Sequence, residues 1–233
     1  MRLHRLHIGC GNHIKKGFVN IDFFNENADL KAQAHKLPFK QRSATRIESY
    51  QLIEHLGYIN CIYALSEWYF VLKKGGKLII ETPDVDKSFK KYLASTSDQD
   101  KIRMLLWIYG NELPGYYHKF CFSKKILRQL LKSIGFKKIK FKPQTTYRQY
   151  PGLRVECVKD KKDCAIFEVL AVLRKKFLKK GLVVIDDLKI LEIEDKFDHL
   201  KKEASPKTIF KEFSSDPEMM NEIFSEFKKN KLI

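Results

Sequence analysis

Leu6-His7-Ile8-Gly9-Cys10-Gly11-Asn12, read together with Val19-Asn20-Ile21-Asp22, is the stretch on which the fold turns. Leu6, His7 and Ile8 form a short, mostly apolar run that reads as a buried strand, and it enters two glycines one residue apart. Glycine tolerates positive φ and lets a ligand approach the backbone closely. The second apolar run ends in a carboxylate, Asp22. Strand, glycine turn, strand and acid is the order in which an α/β sheet holds a nucleoside, the acid accepting hydrogen bonds from ribose hydroxyls. Only residues 9–17 separate the two runs, so a helix between them has a turn or two at most.

Working outward, strands are expected over 6–8, 18–21, 28–30, 45–49, 78–80, 136–141 and 153–158. A helix over 59–72 places Ile62, Leu65, Tyr69 and Leu72 on one face, and Lys73-Lys74-Gly75-Gly76 reads as its basic end and glycine stop. Ser123 caps a second helix over 124–134. This alternation predicts an α/β fold with a doubly wound, mainly parallel sheet. Residues 85–118 are rich in Tyr, Trp and Phe and read as an irregular or helical insertion. Past 160 the character changes. Residues 161–180 form an apolar-then-basic connector, and 181–233 are Asp- and Glu-rich, amphipathic and interrupted by Pro206 and Pro217, as in a mainly helical appendage. The expected organisation is therefore 1–160 plus an extension over 161–233.

Charge divides along the same line. The net +17 combines 9 Lys+Arg against 12 Asp+Glu in 181–233 with 36 against 16 in the remainder, and 119–180 alone carry 19 against 4. Such a surface attracts nucleic acid, an anionic surface or a phosphorylated substrate, and it also serves simply to solvate the protein. No apolar stretch approaches the roughly 20 residues of a membrane helix. The first five residues lead straight into the first strand, which leaves no room for a signal peptide. Cys10, Cys61, Cys121, Cys157 and Cys164 are scattered and never form a C-x-x-C pair, which predicts reduced thiols and a cytoplasmic location. His118 and Cys121 have a metal-like spacing without a second pair, so no metal site is expected.

The ordered set Leu6–Asn12, Gly17–Asp22, Leu37-Pro38-Phe39, Ile53-Glu54-His55-Leu56, Glu67–Leu78 with its Val-Leu-Lys-Lys-Gly-Gly-Lys-Leu core, Pro83-Asp84, His118 and Gly135-Phe136 resembles the class I S-adenosylmethionine-dependent methyltransferases. The likeness covers about residues 4–158 and points to the branch that acts on small molecules and polysaccharide precursors. It implies a seven-stranded, Rossmann-like methyltransferase sheet, with S-adenosylmethionine as cofactor. Carried over by position, Gly9, Cys10, Gly11 and Asn12 pass under the methionine part and Asp22 binds both ribose hydroxyls. Leu37 lies against the adenine, Gln33 reaches its edge where family members often have an acid, and Ser49 and Gln51 border the reacting methyl group. The aromatic insertion over 85–118 is the segment that covers the active site, so Trp107, Tyr109, Tyr116 and Tyr117 are candidates for a substrate pocket. Cys10 reads as a space-filler.

A sulfonium methyl is already activated, so the protein mainly has to align a nucleophile, with a general base where that nucleophile is a hydroxyl. Glu54, His55, Asp84 and His118 are the candidates. The function expected is methyl transfer to a small molecule or glycan precursor. The alternatives are an RNA or other macromolecular acceptor, suggested by the basic charge, and an inactive methyltransferase-like binding module, suggested by the short first crossover, Gln33 and the acidic tail.

Overall fold

The structure, a computed structural model, describes residues 3–113 and 115–160, together with Ser225. Apart from Ser225, the expected extension over 161–233 lies outside the described residues. The seven strands are β1 (His4–Ile8), β2 (Val19–Asp22), β3 (Leu30–Lys31), β4 (Ala44–Tyr50), β5 (Leu72–Pro83), β6 (Phe136–Lys142) and β7 (Gly152–Lys159). They form one sheet in the order β3-β2-β1-β4-β5-β7-β6. β1 to β5 are parallel, and β7 runs antiparallel between β5 and β6. This is the mainly parallel, seven-stranded sheet that the resemblance implies. The chain leaves β1 toward β2 and β3, then returns to β4 on the other side of β1. That reversal is the switch point at which open α/β sheets bind ligands, at the carboxyl ends of the strands.

Register explains the core. Leu6, Ile47, Leu78 and Cys157 are paired in a row across β1, β4, β5 and β7, and all four are buried. The neighbouring row, His7, Glu48, Ile79 and Glu156, faces the other side and carries buried polar groups. There Glu48 accepts from Tyr50 Oη at 2.8 Å and from Lys15 Nζ and Arg46 Nε. A buried charge is tolerated only when it is met in this way.

The described helices all follow β4: α1 (Ile53–Val71), α2 (Val85–Ala94), α3 (Asp98–Tyr109) and α4 (Lys124–Ser133). Among the described residues, turns and loops alone connect β1 to β2, β2 to β3 and β3 to β4. The loop after β3 is fastened to α1 instead, by Trp68 Nε1 donating to the Ala34 carbonyl at 2.9 Å and the Leu37 N–H donating to Glu67 at 3.2 Å.

Most element ends differ from expectation by a residue or more, and three of these differences have a local reason. β3 starts at Leu30 rather than 28, because the Asp29 carboxylate takes the Asn20 N–H at 2.8 Å, the donor a strand partner would otherwise meet. α1 begins earlier than 59 but is broken at Gly57, whose φ of 76° is outside helical space, so Ile53–Leu56 is a separate turn. The same helix ends at Val71, not at the glycines. Leu72 is already extended and pairs with Ala44, and Lys73–Gly76 loop out before Lys77 resumes pairing with Arg46. Gly76 is needed in that loop: a Cβ there would lie 2.8 Å from the Lys73 carbonyl oxygen. The helix expected over 124–134 is present as α4, capped by Ser123 Oγ accepting from the Ile126 N–H.

Candidate active site

A cleft of about 1180 Å³ opens at the carboxyl ends of β1 and β4. Its floor is the turn after β1. Gly9 has φ 68° and donates to the Ile21 carbonyl at 2.8 Å. A Cβ on Gly9 would sit 2.6 Å from Leu52 Cδ2, so this glycine answers a contact within the protein. Gly11, at φ 47°, is different, because a Cβ there would meet nothing within 4 Å. It is the point where backbone lies bare toward the cleft. Gly9, Cys10, Gly11, Asn12 and Gln51 line the cleft together. Burial and the Asp22 charge push the Cys10 thiol up to about 11, so it is no thiolate nucleophile.

Asp22 stands behind the turn. Its Oδ2 accepts from the Gly11 N–H at 2.8 Å, and its Oδ1 accepts from Phe24 and Asn25 N–H at 2.8 and 3.0 Å. A carboxylate offers about four acceptor positions. Backbone amides occupy three, so with the turn as it stands there is room for one ribose hydroxyl rather than two. The remaining expected donor-site residues lie apart from the cleft lining. Ser49 is buried within β4, Leu37 is buried under the loop tied to Glu67, and Gln33 is exposed. Two aromatics, Phe23 and Phe24, follow the strand-end acid and are exposed beside it.

One wall is the loop over 143–151, unforeseen from sequence. Glu81, buried in β5, holds it: Oε1 accepts from the Thr145 N–H (2.8 Å) and hydroxyl (2.7 Å) and from Arg154 (2.6 Å), while Oε2 accepts from the Thr146 N–H (2.9 Å) and hydroxyl (2.6 Å). Burial disfavours the charge, yet the hydrogen bonds from Thr146, Arg154 and Thr145 outweigh it and keep the carboxyl below its ordinary range. The loop then presents Tyr147 and Tyr150 to the cleft. Trp107 of α3 stacks on Tyr150 with centroids 4.8 Å apart and donates to the Pro151 carbonyl at 2.6 Å. Of the four aromatics expected in the insertion, Trp107 and Tyr116 reach the cleft, whereas Tyr109 and Tyr117 are exposed and outside its lining. The signal for the loop was its length and its Thr and Tyr content, since an ordinary hairpin needs about 2–5 residues.

Another part of the lining brings together His55 and His118, with Glu54 buried behind them, three of the four proposed catalytic side chains. The Lys119 and Phe120 N–H groups both donate to the Glu54 carbonyl, at 2.8 and 3.1 Å, and this carries His118 to the first turn of α1. The His55 and His118 rings meet edge to face with centroids 4.7 Å apart. Glu54 is fully buried, and its Oε2 accepts from Thr82 Oγ1 at 2.9 Å. Burial pushes its carboxyl up to about 8. Burial and the neighbouring His55 bring His118 down to about 4, and burial followed by Lys119 lowers His55. The fourth candidate, Asp84, lies outside the cleft lining and caps α2, accepting from the Lys87 N–H at 3.2 Å. Cys121 and His118 share a partner rather than a ligand: both reach the Ile108 carbonyl, at 2.9 and 3.1 Å.

No protein-family model and no curated protein matches the chain. Solved structures to which it is similar include S-adenosylmethionine-dependent methyltransferases from three organisms. The one from Thermotoga maritima is 19% identical, over 69% of this chain and 84% of that one, with a TM-score of 0.47. For Methanosarcina mazei the values are 17%, 70%, 95% and 0.47, and for Archaeoglobus fulgidus 15%, 68%, 86% and 0.48.

Proposed function

We propose that the chain is an S-adenosylmethionine-dependent methyltransferase whose acceptor is a small molecule or glycan precursor. The observation that carries this reading is the cleft itself. It lies at the sheet's switch point, with a bare glycine backbone at Gly11 and a strand-end carboxylate at Asp22 on one side and an aromatic enclosure on the other.

The residues present fit the cofactor. Gly11 leaves space where any side chain would project, Asn12 and Gln51 are polar groups at the rim, and Asp22 keeps an acceptor position for a ribose hydroxyl. When bound, the cofactor supplies a methyl group already activated on a sulfonium. The chain's own contribution is alignment and exclusion of water. Trp107, Tyr116, Tyr147 and Tyr150 supply apolar faces with polar edges, suited to a small acceptor that carries both. His55 and His118, with the buried Glu54 behind them, are the polar end that such an acceptor meets.

Calorimetry with S-adenosylmethionine and with its demethylated product tests the reading. One molecule bound per chain, weakened at least tenfold in Asp22→Ala with the fold retained by circular dichroism, is the expected result. Absence of binding of both compounds to the parent protein overturns it.

A further inference from the structure

Glu54 poses a problem that the methyl-donor reading leaves unsolved. Its side chain is fully buried, Oε2 is met by Thr82, and Oε1 has no hydrogen-bond partner. A buried carboxyl oxygen left without a hydrogen bond is costly, so its retention calls for a partner that is not a protein group.

The two imidazoles beside it are arranged to supply one. His55 Nδ1 lies 3.2 Å from the Tyr117 carbonyl, and His118 Nδ1 lies 3.1 Å from the Ile108 carbonyl. A neutral ring that gives its Nδ1 proton to a backbone carbonyl keeps the Nε2 lone pair, and this outer hydrogen bond is the usual support of a metal-ligating histidine. One ligating atom from each of Glu54, His55 and His118 lies within 4.8 Å of the other two. Bonds of about 2.0–2.2 Å to a single ion require that spacing to contract by about 1 Å. Small rotations of the two half-buried histidine side chains can provide this, while Glu54 stays fixed.

We propose that Glu54, His55 and His118 form a binding site for a first-row divalent transition-metal ion, open toward the cleft. The donor set specifies the class. Two imidazole nitrogens and one carboxylate suit zinc, cobalt, manganese or iron(II), whereas magnesium and calcium favour oxygen donors. Three protein ligands leave further coordination positions, and because His55 and His118 line the cleft, those positions face whatever enters it. Lys119, the cation whose charge acts on His55, directs its ammonium over the Tyr117 ring, 5.6 Å from the centroid. Gly57 serves the same construction. Its φ of 76° breaks α1 after the turn that bears Glu54 and His55, and a Cβ there would lie 3.5 Å from Lys119 Cβ, where the chain carrying His118 passes. The site stands on these residues alone and does not depend on the identity of the methyl donor.

The test is titration of the full, chelator-stripped chain with Zn²⁺ by calorimetry and with Co²⁺ by visible absorption. The expected result is one equivalent per chain, no competition from an equal concentration of Mg²⁺, and at least tenfold weaker binding in each of His55→Asn, His118→Asn and Glu54→Gln. Absence of saturable binding to the parent overturns the proposal, and so does parent-like affinity in either histidine variant, which would place the ion elsewhere. If Glu54→Gln does not fold, the two histidine variants still decide. Donor binding is read separately with the demethylated cofactor product, so failure of the metal site and failure of the methyltransferase reading give different results.

Discussion

Two buried glutamates behind the lining of one cleft show how differently the same side chain is used. Glu81 has five protein donors and Glu54 has one. Both are fully buried, yet Glu81 is held below its ordinary range while Glu54 is pushed up to about 8. Burial alone raises a carboxyl, and donors aimed at both oxygens reverse it. Glu81 is thus a fastener, an anion that fixes the loop over 143–151 against β5. Glu54 is a carboxyl group kept half-satisfied beside two histidines. The contrast separates the wall that holds the cleft's shape from the wall where its chemistry is expected.

The largest effect expected from breaking this contrast is in Glu81→Ala. Removing one partner of a buried, hydrogen-bonded ionic network costs about 3–5 kcal/mol, and chemical denaturation of the variant is the measurement. Glu81→Gln should cost less, because an amide oxygen still accepts from the threonines. The pH dependence of stability should have opposite signs for the two residues. Glu81 contributes stability above its unfolded pKa of 4.5 that is lost as pH falls through its lower folded value. In chelator-treated protein, Glu54 stays protonated when folded but ionises from 4.5 when unfolded, so it makes stability fall as pH rises from about 4.5 to about 8. Between about pH 6.5 and 8, above the range in which His55 and His118 take up protons on unfolding, the slope of the denaturation midpoints should flatten in Glu54→Gln; an unchanged slope there contradicts the burial argument.

A smaller effect is expected at the aromatic side. Trp107→Ala loses the Tyr150 stack and the bond to the Pro151 carbonyl from a half-buried position, which should cost about 2 kcal/mol. The smallest stability change is expected in Gly11→Ala. Its cost is the left-handed backbone alone, about 1 kcal/mol, because the added methyl meets no protein atom. Thermal melts of Gly11→Ala and Gly9→Ala should differ clearly, since the methyl of the latter collides with Leu52.

Much of this was legible from short-range pattern. β1 and β2 carry apolar anchors beside a glycine turn or a terminal acid, β4 is anchored by Ile47, and Ser123 marks the start of α4. The misreadings share one cause: a tertiary partner took over a local signal. The glycines at 75 and 76 look like a helix stop, but Leu72 is drawn into the sheet by Ala44 first. Asp84 looks like a strand-end acid available for chemistry, but the N–H of Lys87 claims it. Glu54, His55 and His118 were each visible as candidates. Their meeting was not, because it depends on backbone bonds from Lys119 and Phe120 to the Glu54 carbonyl, which no local pattern encodes. The expectation of no metal site rested on sequence spacing, and spacing is silent about ligands assembled from two separate segments.

The central claim is that the turn at Gly11 and Asp22 receives the donor. A crystal structure of the chain with the demethylated cofactor product tests it most directly. The account predicts the ligand against the Gly11 backbone, with a ribose hydroxyl on Asp22 and its sulfur end turned toward Gln51 and the histidine pair. A ligand bound away from this turn, or crystals grown at saturating concentration that contain none, would contradict it.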